Sequence, residues 1–267
     1  MSSLPRCGSL ALLILGLVGC AAPAVDWTSR ESVARPAGAA IALDADGRIR
    51  PDTMAALAAR VSVPAGPVCA GSLSVAVSRG TLFGVWWAPR PDSGVRLLAA
   101  RSGDGGRTWS APAPVDTTDV GRLGCRREPA AIAADSSSGY VHVTYALNAA
   151  EGPGLFFSHS MDEGVTFHAP VPILYGERLG RTSVAADGDL VVVGFEDPNS
   201  TMPRIGLALS RTMGHIFEHR VIPVSDDNGP AVRPLTAARG RRIAVAWEPR
   251  GPGGASATLA VRSGTVR

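Results

Sequence analysis

Short apolar stretches separated by glycine, proline and aspartate turns run through most of the chain. Four of these stretches share one order: a strand of small residues, a polar turn, and a β-branched strand that ends in an aromatic residue. Apolar runs of this length between turn residues predict β-strands. The four stretches lie at residues 72–87, 129–145, 181–195 and 233–247. The sequence therefore predicts an all-β protein built from a repeated unit.

Each unit continues with a third apolar strand, at residues 96–101, 155–159, 205–209 and 258–262. A fourth strand follows in the first three units, at residues 113–115, 171–173 and 221–224. The last unit has no fourth strand after its third. Residues 59–64, with Val61 and Val63, have a strand pattern like that of residues 221–224, but they precede the first unit.

A polar motif of the form S-x-D-x-G-x-T-W follows the third strand of the first three units. It begins at Ser102 and at Ser160, and a weaker copy begins at Ser210, with centres 58 and 50 residues apart. A short Asp side chain can bond its own turn backbone, and a glycine can supply positive φ where the chain reverses. The aromatic residue that ends the motif suits a strand with its ring facing inward. A repeat of this length indicates a propeller or a solenoid.

These motifs resemble the Asp-box (BNR repeat) of sialidase-like β-propellers, where the box joins the third and fourth strands of a blade, away from the ligand site. The resemblance assigns structural roles to two clean copies, which are Ser102, Asp104, Gly106, Thr108, Trp109, Ser160, Asp162, Gly164, Thr166 and Phe167. It implies a small β-propeller of about four four-stranded blades, or five if residues 39–60 contain part of another. Val61 and Val63 are expected to pair with residues 258–262 and close the ring, which would remove an exposed sheet edge.

The first twenty residues predict an export signal. Arg6 precedes a short apolar core, Leu10 to Val18, which is too short to span a bilayer permanently. Leu17-Val18-Gly19-Cys20 resembles a bacterial lipobox, which implies lipidation at Cys20; ordinary cleavage near Ala21-Ala22-Pro23 is the alternative. The predicted organisation is a lipoprotein signal at 1–20, a tether and poorly defined segment at 21–56, and the propeller at 57–267. The expected location is the bacterial cell envelope, lipid-anchored, facing the periplasm or on the cell surface.

Composition adds two constraints. The chain has 31 glycines and 21 prolines, enough to separate many short strands, and its net charge is only +3. Every basic residue is arginine, but no basic run is interleaved with aromatic residues, so nucleic acid is not an expected partner. No cofactor is expected.

Of four cysteines, Cys7 lies in the signal and Cys20 at the lipobox. Cys69 and Cys125 remain, about one repeat apart, and each stands just before the first strand of a blade. Equivalent positions on neighbouring blades are close in space, so an exported protein can form a Cys69–Cys125 disulfide. Two separate buried thiols are the alternative.

Charged and aromatic residues stand where first strands begin and second strands end, which is the mouth opposite the motif turns. Trp87, Arg126 and Tyr145 are candidates for contact with a ligand, and catalytic candidates are Arg127, Glu128, Tyr145, Arg181, Glu196, Arg233 and Glu248. Arginine binds carboxylates in a bidentate manner. The resemblance implies an arginine triad for the carboxylate of sialic acid, with a tyrosine nucleophile paired with glutamate. The alternative is that these arginines pair with neighbouring glutamates.

The family's first-arginine motif, Phe/Tyr-Arg-Ile-Pro, is absent here, and Cys69-Ala-Gly-Ser72 occupies that region. No residue can be assigned to the acid/base aspartate. The sequence therefore favours a non-catalytic module that binds a glycan or a protein, with an exo-glycosidase of sialidase type as the alternative. His215 and His219 do not form a helical metal pair, and residues 226–229 are expected to be a solvated turn rather than a calcium site. No metal site is expected.

We predict that Cys20 becomes the mature N-terminus and carries lipid. Cys20→Ser removes the sulfur that accepts the first acyl chain, so labelled fatty acid should not be incorporated into the variant expressed in bacteria. The precursor should also stay unprocessed on a gel. Cys7→Ser is the matched control and should be labelled like the natural chain, whereas acylation of the Cys20→Ser protein would contradict the prediction.

Overall fold

The regular structure of the described residues consists of β-strands. The computed structural model describes residues 23–34, 41–51, 66–121, 123–226, 229–251, 254–255 and 258–267. Within these ranges, no helix has the length and apolarity needed to cross a membrane. Four short strands come first: β1 (Val25–Trp27), β2 (Glu31–Ala34), β3 (Ile41–Leu43) and β4 (Ile49–Pro51).

Blades 1 and 2 are four-stranded antiparallel sheets in which the strands lie in chain order. Blade 1 comprises β5 (Ser74–Ser78), β6 (Thr81–Pro89), β7 (Val95–Ser102) and β8 (Ala113–Asp116). Blade 2 comprises β9 (Ala131–Ala134), β10 (Val141–Ala149), β11 (Gly152–Ser160) and β12 (Val171–Tyr175).

Blade 3 has the same plan, and blade 4 draws on both ends of the described chain. Blade 3 comprises β13 (Thr182–Asp187), β14 (Leu190–Glu196), β15 (Ile205–Ser210) and β16 (His219–Pro223). Blade 4 comprises β17 (Ala231–Arg239), β18 (Arg242–Gly251) and β20 (Thr258–Val266), with β1 and β2 beside β20 and the short β19 (Gly254–Ala255) paired with β18. The all-β prediction is confirmed, and the fold is a small β-propeller.

The second strands of the blades form the cores between them. β6, β10 and β14 are buried along nearly their whole length, on both faces of their sheets. One apolar core lies between blades 1 and 2, a second between blades 2 and 3, and a third between blades 3 and 4. The innermost strands, with small residues such as Ala131–Ala134, are only partly buried. They pack against one another around the axis, β5 on β9, β9 on β13 and β13 on β17.

The outer edge of blade 4 pairs with residues 25–34 and not with Val61 and Val63, which the sequence predicts for this edge. Residues 31–34 pair with residues 258–261 of β20, and residues 25–27 pair with 264–266. A strand edge takes one partner, so the expected pairing of Val61 and Val63 with residues 258–262 is wrong. Both valines lie outside the described residues. The segment 25–34, which we assigned to a tether, is therefore part of the propeller sheet.

The hairpin β3–β4 lies on the remaining face of blade 4. β3 packs against β17 in the way that each innermost strand packs against the next. Ile41 and Leu43 form a further apolar core with Ala244, Leu259 and Val261. Two strands of a fifth sheet are thus present within residues 39–60, as the alternative interpretation of the sequence allowed.

The motif turns connect the third and fourth strands of blades 1 to 3, at the same end of each sheet. In the first turn, Ser102 Oγ donates to Asp104 Oδ1 at 2.8 Å and accepts from the N–H of Gly106 at 2.8 Å. Asp104 also accepts from the N–H of Thr108 at 2.9 Å and from its hydroxyl at 2.6 Å. These bonds hold the pKa of Asp104 well below its usual value, the hydroxyl of Thr108 making the largest contribution.

The second turn repeats these bonds, and the third keeps only part of them. Thr166 donates its N–H and its hydroxyl to Asp162 at 2.9 Å and 2.6 Å. In the third turn Thr212 replaces the aspartate, and its hydroxyl accepts a single backbone bond, from Ile216 at 2.9 Å. Gly214 has a φ of 86°, and a methyl group on it would collide with the Phe157 ring, so glycine is required there twice over.

The aromatic residues of the motifs are buried to different degrees. Trp109 and Phe167, which we expected to be buried, are only partly buried. Trp109 packs against the buried residues Trp86, Ala88 and Ala100 of blade 1, and Phe167 packs against the core between blades 1 and 2. Phe217 of the third turn is buried, and its ring meets Phe157 edge-on at 5.0 Å between blades 2 and 3.

Phe217→Ala should destabilise the protein by about 3 kcal/mol, because it removes a buried ring and leaves a cavity against Phe157. Urea denaturation followed by tryptophan fluorescence would measure the free energy of unfolding. Ile216→Ala is the matched control, since Ile216 is exposed, and its effect should stay within about 0.5 kcal/mol. Equal effects of the two substitutions would mean that Phe217 does not join blades 2 and 3.

Candidate ligand site at the propeller mouth

A cavity of about 450 Å³ lies over the end of blade 2, opposite the motif turns. It is formed by the connections between blades 1 and 2 and between blades 2 and 3. Its walls include both apolar and polar side chains, among them Leu123, Leu179, Arg126, Glu128, Asn148 and Arg181. A volume of this size suits a small ligand. Of the sequence-predicted residues, this cavity brings together Arg126, Arg127, Glu128 and Arg181.

Arg127 lies beneath the cavity, where it forms a buried ion pair. Its guanidinium bonds Asp119 at 3.0 Å, and the two side chains are 6% and 1% exposed. Asp119 also accepts from the N–H groups of Val95 and Gly121, while Arg127 donates to the carbonyl of Gly124 at 2.9 Å. Both charges therefore have partners, as buried charges require.

Trp87 and Tyr145 lie in the core rather than at the mouth. Both are fully buried between blades 1 and 2, and their rings meet edge-on at 5.9 Å. The guanidinium of Arg127 covers the face of Trp87 at 4.9 Å, which is a cation–π contact. The indole N–H of Trp87 donates to the carbonyl of Glu128 at 3.0 Å. Trp87 supports the mouth from below, and its predicted contact with a ligand is incompatible with this burial.

Tyr145 has no free hydroxyl to act as a nucleophile. Its O–H donates to Asp116 at 2.7 Å, and Asp116 is itself buried and bonded by Thr118. Burial and the negative charge of Asp116 raise the pKa of Tyr145 well above its usual value. A buried phenol next to a carboxylate stays protonated. Sequence reasoning missed Asp116 and Asp119, because Asp116 ends β8 and Asp119 follows in the connection to blade 2, and neither belongs to a recognisable motif.

Two further arginines at the mouth, Arg181 and Arg233, are paired with glutamates. Arg181 Nε lies 2.6 Å from Glu128, and both side chains are about two-fifths exposed. Arg233 lies 3.5 Å from Glu248, whose side chain is 6% exposed. These pairs correspond to the alternative that the sequence left open. Arg126, by contrast, is exposed, and no side-chain partner is found for it among the described residues.

Glu196 lies beside the cavity wall. One oxygen accepts the backbone N–H of Arg233 at 2.8 Å, and Arg233 adopts a φ of 56° there. Burial raises the pKa of Glu196, and the negative charge of Glu128 adds to this. The N–H of Arg233 and the charges of Arg181 and Arg250 oppose the shift only in part. This carboxyl group therefore holds its proton more readily than an exposed glutamate.

The disulfide predicted between Cys69 and Cys125 is confirmed, with an α-carbon separation of 5.1 Å. It joins the segment before blade 1 to the segment before blade 2. Because Arg126, Arg127 and Glu128 follow Cys125 directly, the bond anchors the cavity wall that carries them. The wall has two further anchors, the Arg127–Asp119 ion pair and the bond from Trp87 to Glu128.

No group of three or more His, Cys, Asp or Glu side chains in the described ranges is arranged to hold a metal ion. Asp226 pairs with Arg30 at 2.8 Å. Asp227 and Asn228 of the same turn lie outside the described residues.

Comparison with known proteins supports the fold. No protein-family model matches the chain, and no curated protein matches it. Among solved structures, the Hadza microbial sialidase Hz136 is 18% identical with a TM-score of 0.51, over 73% of this chain and 46% of that one. The chain is thus similar to a sialidase in fold, but it spans less than half the length of that protein.

Two further sialidases are similar over comparable stretches. The Trypanosoma rangeli sialidase is 12% identical with a TM-score of 0.47, over 86% of this chain and 40% of that chain. The NanB sialidase of Streptococcus pneumoniae, in its K499G form, is 12% identical with a TM-score of 0.47, over 74% and 31%.

Arg127→Ala should cost about 3–5 kcal/mol of unfolding free energy, because it strands the buried carboxylate of Asp119. Urea denaturation at neutral pH would measure this loss. Arg126→Ala, one residue earlier, is the matched control and should change stability by less than about 0.5 kcal/mol. If both variants were as stable as the natural protein, Arg127 would not be a structural residue.

Proposed function

We propose that this protein is a lipid-anchored propeller of the bacterial envelope that binds a small acidic glycan without catalysis. The observation that carries the proposal is the cavity of about 450 Å³ with Arg126 at its rim. An exposed guanidinium without a side-chain partner among the described residues can form a bidentate bond with a carboxylate. The Arg181–Glu128 pair and Asn148 supply further donors and acceptors for hydroxyl groups.

The arrangement of the other candidates supports binding rather than hydrolysis. Arg127 is engaged by Asp119 and Arg233 by Glu248, so neither is free to join a carboxylate-binding triad. Tyr145 is buried and donates to Asp116, which leaves it unsuited to attack a sugar. The absence of the first-arginine motif of sialidases points the same way. A fold shared with sialidases does not by itself bring their activity.

The proposal includes the finer features of the resemblance. We assign the motif turns at residues 102–109, 160–167 and 210–217 to the Asp-box class, on the strength of their repeated Ser, Asp and Thr bonds. We also propose that Cys20 carries the lipid anchor, so that the propeller faces the periplasm or the cell exterior. A protein ligand at the mouth is the competing binding mode.

An exo-glycosidase of sialidase type is the second candidate function. One observation favours it: Glu196 is partly buried beside the mouth with a raised pKa. A general acid in a glycosidase needs a carboxyl group that keeps its proton near neutral pH. In this alternative Glu196 would protonate the leaving group of a terminal sialic-acid-like sugar.

The proposed function predicts that the purified protein binds acidic glycans on an array and does not turn over a fluorogenic sialoside. Arg126→Ala should weaken binding of an array hit about 10-fold or more in calorimetry, since a charge-assisted bond is lost. Arg107→Ala removes an exposed arginine at the opposite end of the sheets and should bind normally. Turnover that Glu196→Gln abolishes would establish the alternative, and binding of protein but not glycan would contradict the proposed ligand.

A further inference from the structure

Four of the five histidines of the chain gather at the motif-turn end, where blades 2 and 3 meet. His142 lies in β10 and His159 in β11, while His168 follows the second motif turn and His215 belongs to the third. The ring centre of His159 lies 4.7 Å from those of His168 and His215, and 6.3 Å from that of His142. We call these four residues the histidine cluster.

The two inner members of the cluster are buried with unbonded nitrogens. His142 has no exposed surface, and His159 is 6% exposed. Neither ring nitrogen of His142 has a hydrogen-bond partner within the described part of the chain, nor does Nε2 of His159. Buried polar groups are almost always bonded, so three unpaired nitrogens at one place call for an explanation.

The cluster rests directly on the aromatic contact that joins blades 2 and 3. The His142 ring stacks on Phe157 at 5.9 Å, and the His159 ring lies 5.8 Å from Phe157. Phe157 in turn packs against Phe217 of the third motif turn. A change of charge on the histidines therefore acts at the centre of this contact.

The surroundings oppose protonation. The negative charge of Asp135 favours the protonated form of His142, but this carboxylate already accepts hydrogen bonds from the hydroxyls of Ser137 and Ser138. Tyr140 stacks on His159 at 5.8 Å and offers no charge. Burial, followed by the neighbouring imidazoles, lowers the pKa of His142 to about 3 and that of His159 to about 4.

We propose that the histidine cluster is an acid-triggered switch, in which protonation separates blades 2 and 3 at their motif-turn end. Protonated imidazoles this close repel one another, and no free carboxylate in the described surroundings compensates them. Opening would release the third motif turn and expose Phe157 and Phe217. The mouth lies at the other end of the sheets.

The direction of the pH dependence follows from linkage. An exposed histidine has an ordinary pKa of about 6.5. Below that pH, His142 and His159 therefore bind protons in the open state but stay neutral in the closed state, where their pKa values are lower. The closed state is fully favoured above about pH 6.5 and loses stability as the pH falls toward 4. The carboxylates of the motif turns titrate below this window, because their pKa values are lowered.

Urea denaturation of the purified protein between pH 7.5 and 4.5, with a chelator present, tests the switch. Each of the two buried histidines should lower the folding equilibrium constant by up to about 10-fold per pH unit, which gives about 100-fold for the pair. His142→Leu should reduce the loss to about 10-fold per unit at most. His219→Ala, which removes the histidine outside the cluster, should behave like the natural protein.

Hydrogen exchange locates the opening and decides the matter if His142→Leu does not fold. On lowering the pH from 7 to 5, protection corrected for intrinsic rates should fall in residues 155–160 and 205–210 before it falls in 95–102. The proposal is overturned if the stability of the natural protein is flat across this range, or if His142→Leu keeps the full slope. It is also overturned if protection falls equally in all blades, or if zinc without chelator stabilises the protein through His142.

Discussion

The sheets of this propeller are apolar on both faces, so each sheet must be covered by its neighbours, and the rest of the structure depends on this constraint. The middle strands β6, β10 and β14 are buried on both faces, so no blade can hide its apolar surface alone. Consecutive blades cover these faces for one another, which explains the apolar cores between them. The same requirement explains why the hairpin β3–β4 packs on the far face of blade 4.

Blade 4 shows how the constraint joins the two ends of the described chain. Its third strand, β20, has β18 on one side and the N-terminal strands β1 and β2 on the other. Without these partners β20 would present an unpaired edge. Loss of residues 25–34 is therefore equivalent to loss of a fourth strand, although these residues lie far from blade 4 in sequence.

The two ends of the sheets differ in chemistry because they differ in the connections that form them. At the mouth, the connections between blades place arginines beside aspartate or glutamate side chains, and most of these charges compensate one another. What distinguishes the cavity is Arg126, which is exposed on a wall that a disulfide and a buried ion pair hold in place. At the opposite end, tight turns rich in backbone bonds bring distant histidines together.

The sequence by itself determined the parts of the fold that depend on local pattern. The repeated strands and the motif turns were readable because their bonds join residues within eight positions of one another, as from Ser102 to Thr108. The disulfide between Cys69 and Cys125 followed from their equivalent places in successive repeats.

Only the tertiary structure decided which residues meet across blades. The pairing of β2 with β20 could not be predicted from the sequence, because the short strand at residues 31–34 has no residue pattern that indicates which strand it pairs with. Tyr145 and Trp87 end their predicted strands, where sequence position suits a mouth. In the structure β10 and β6 continue to Ala149 and Pro89, and packing between blades 1 and 2 buries both side chains. Arg126 and Arg127 are adjacent arginines that the sequence cannot tell apart. Arg126 is exposed, whereas the side chain of Arg127 is buried against Asp119, because burial depends on the direction in which each side chain leaves the connection.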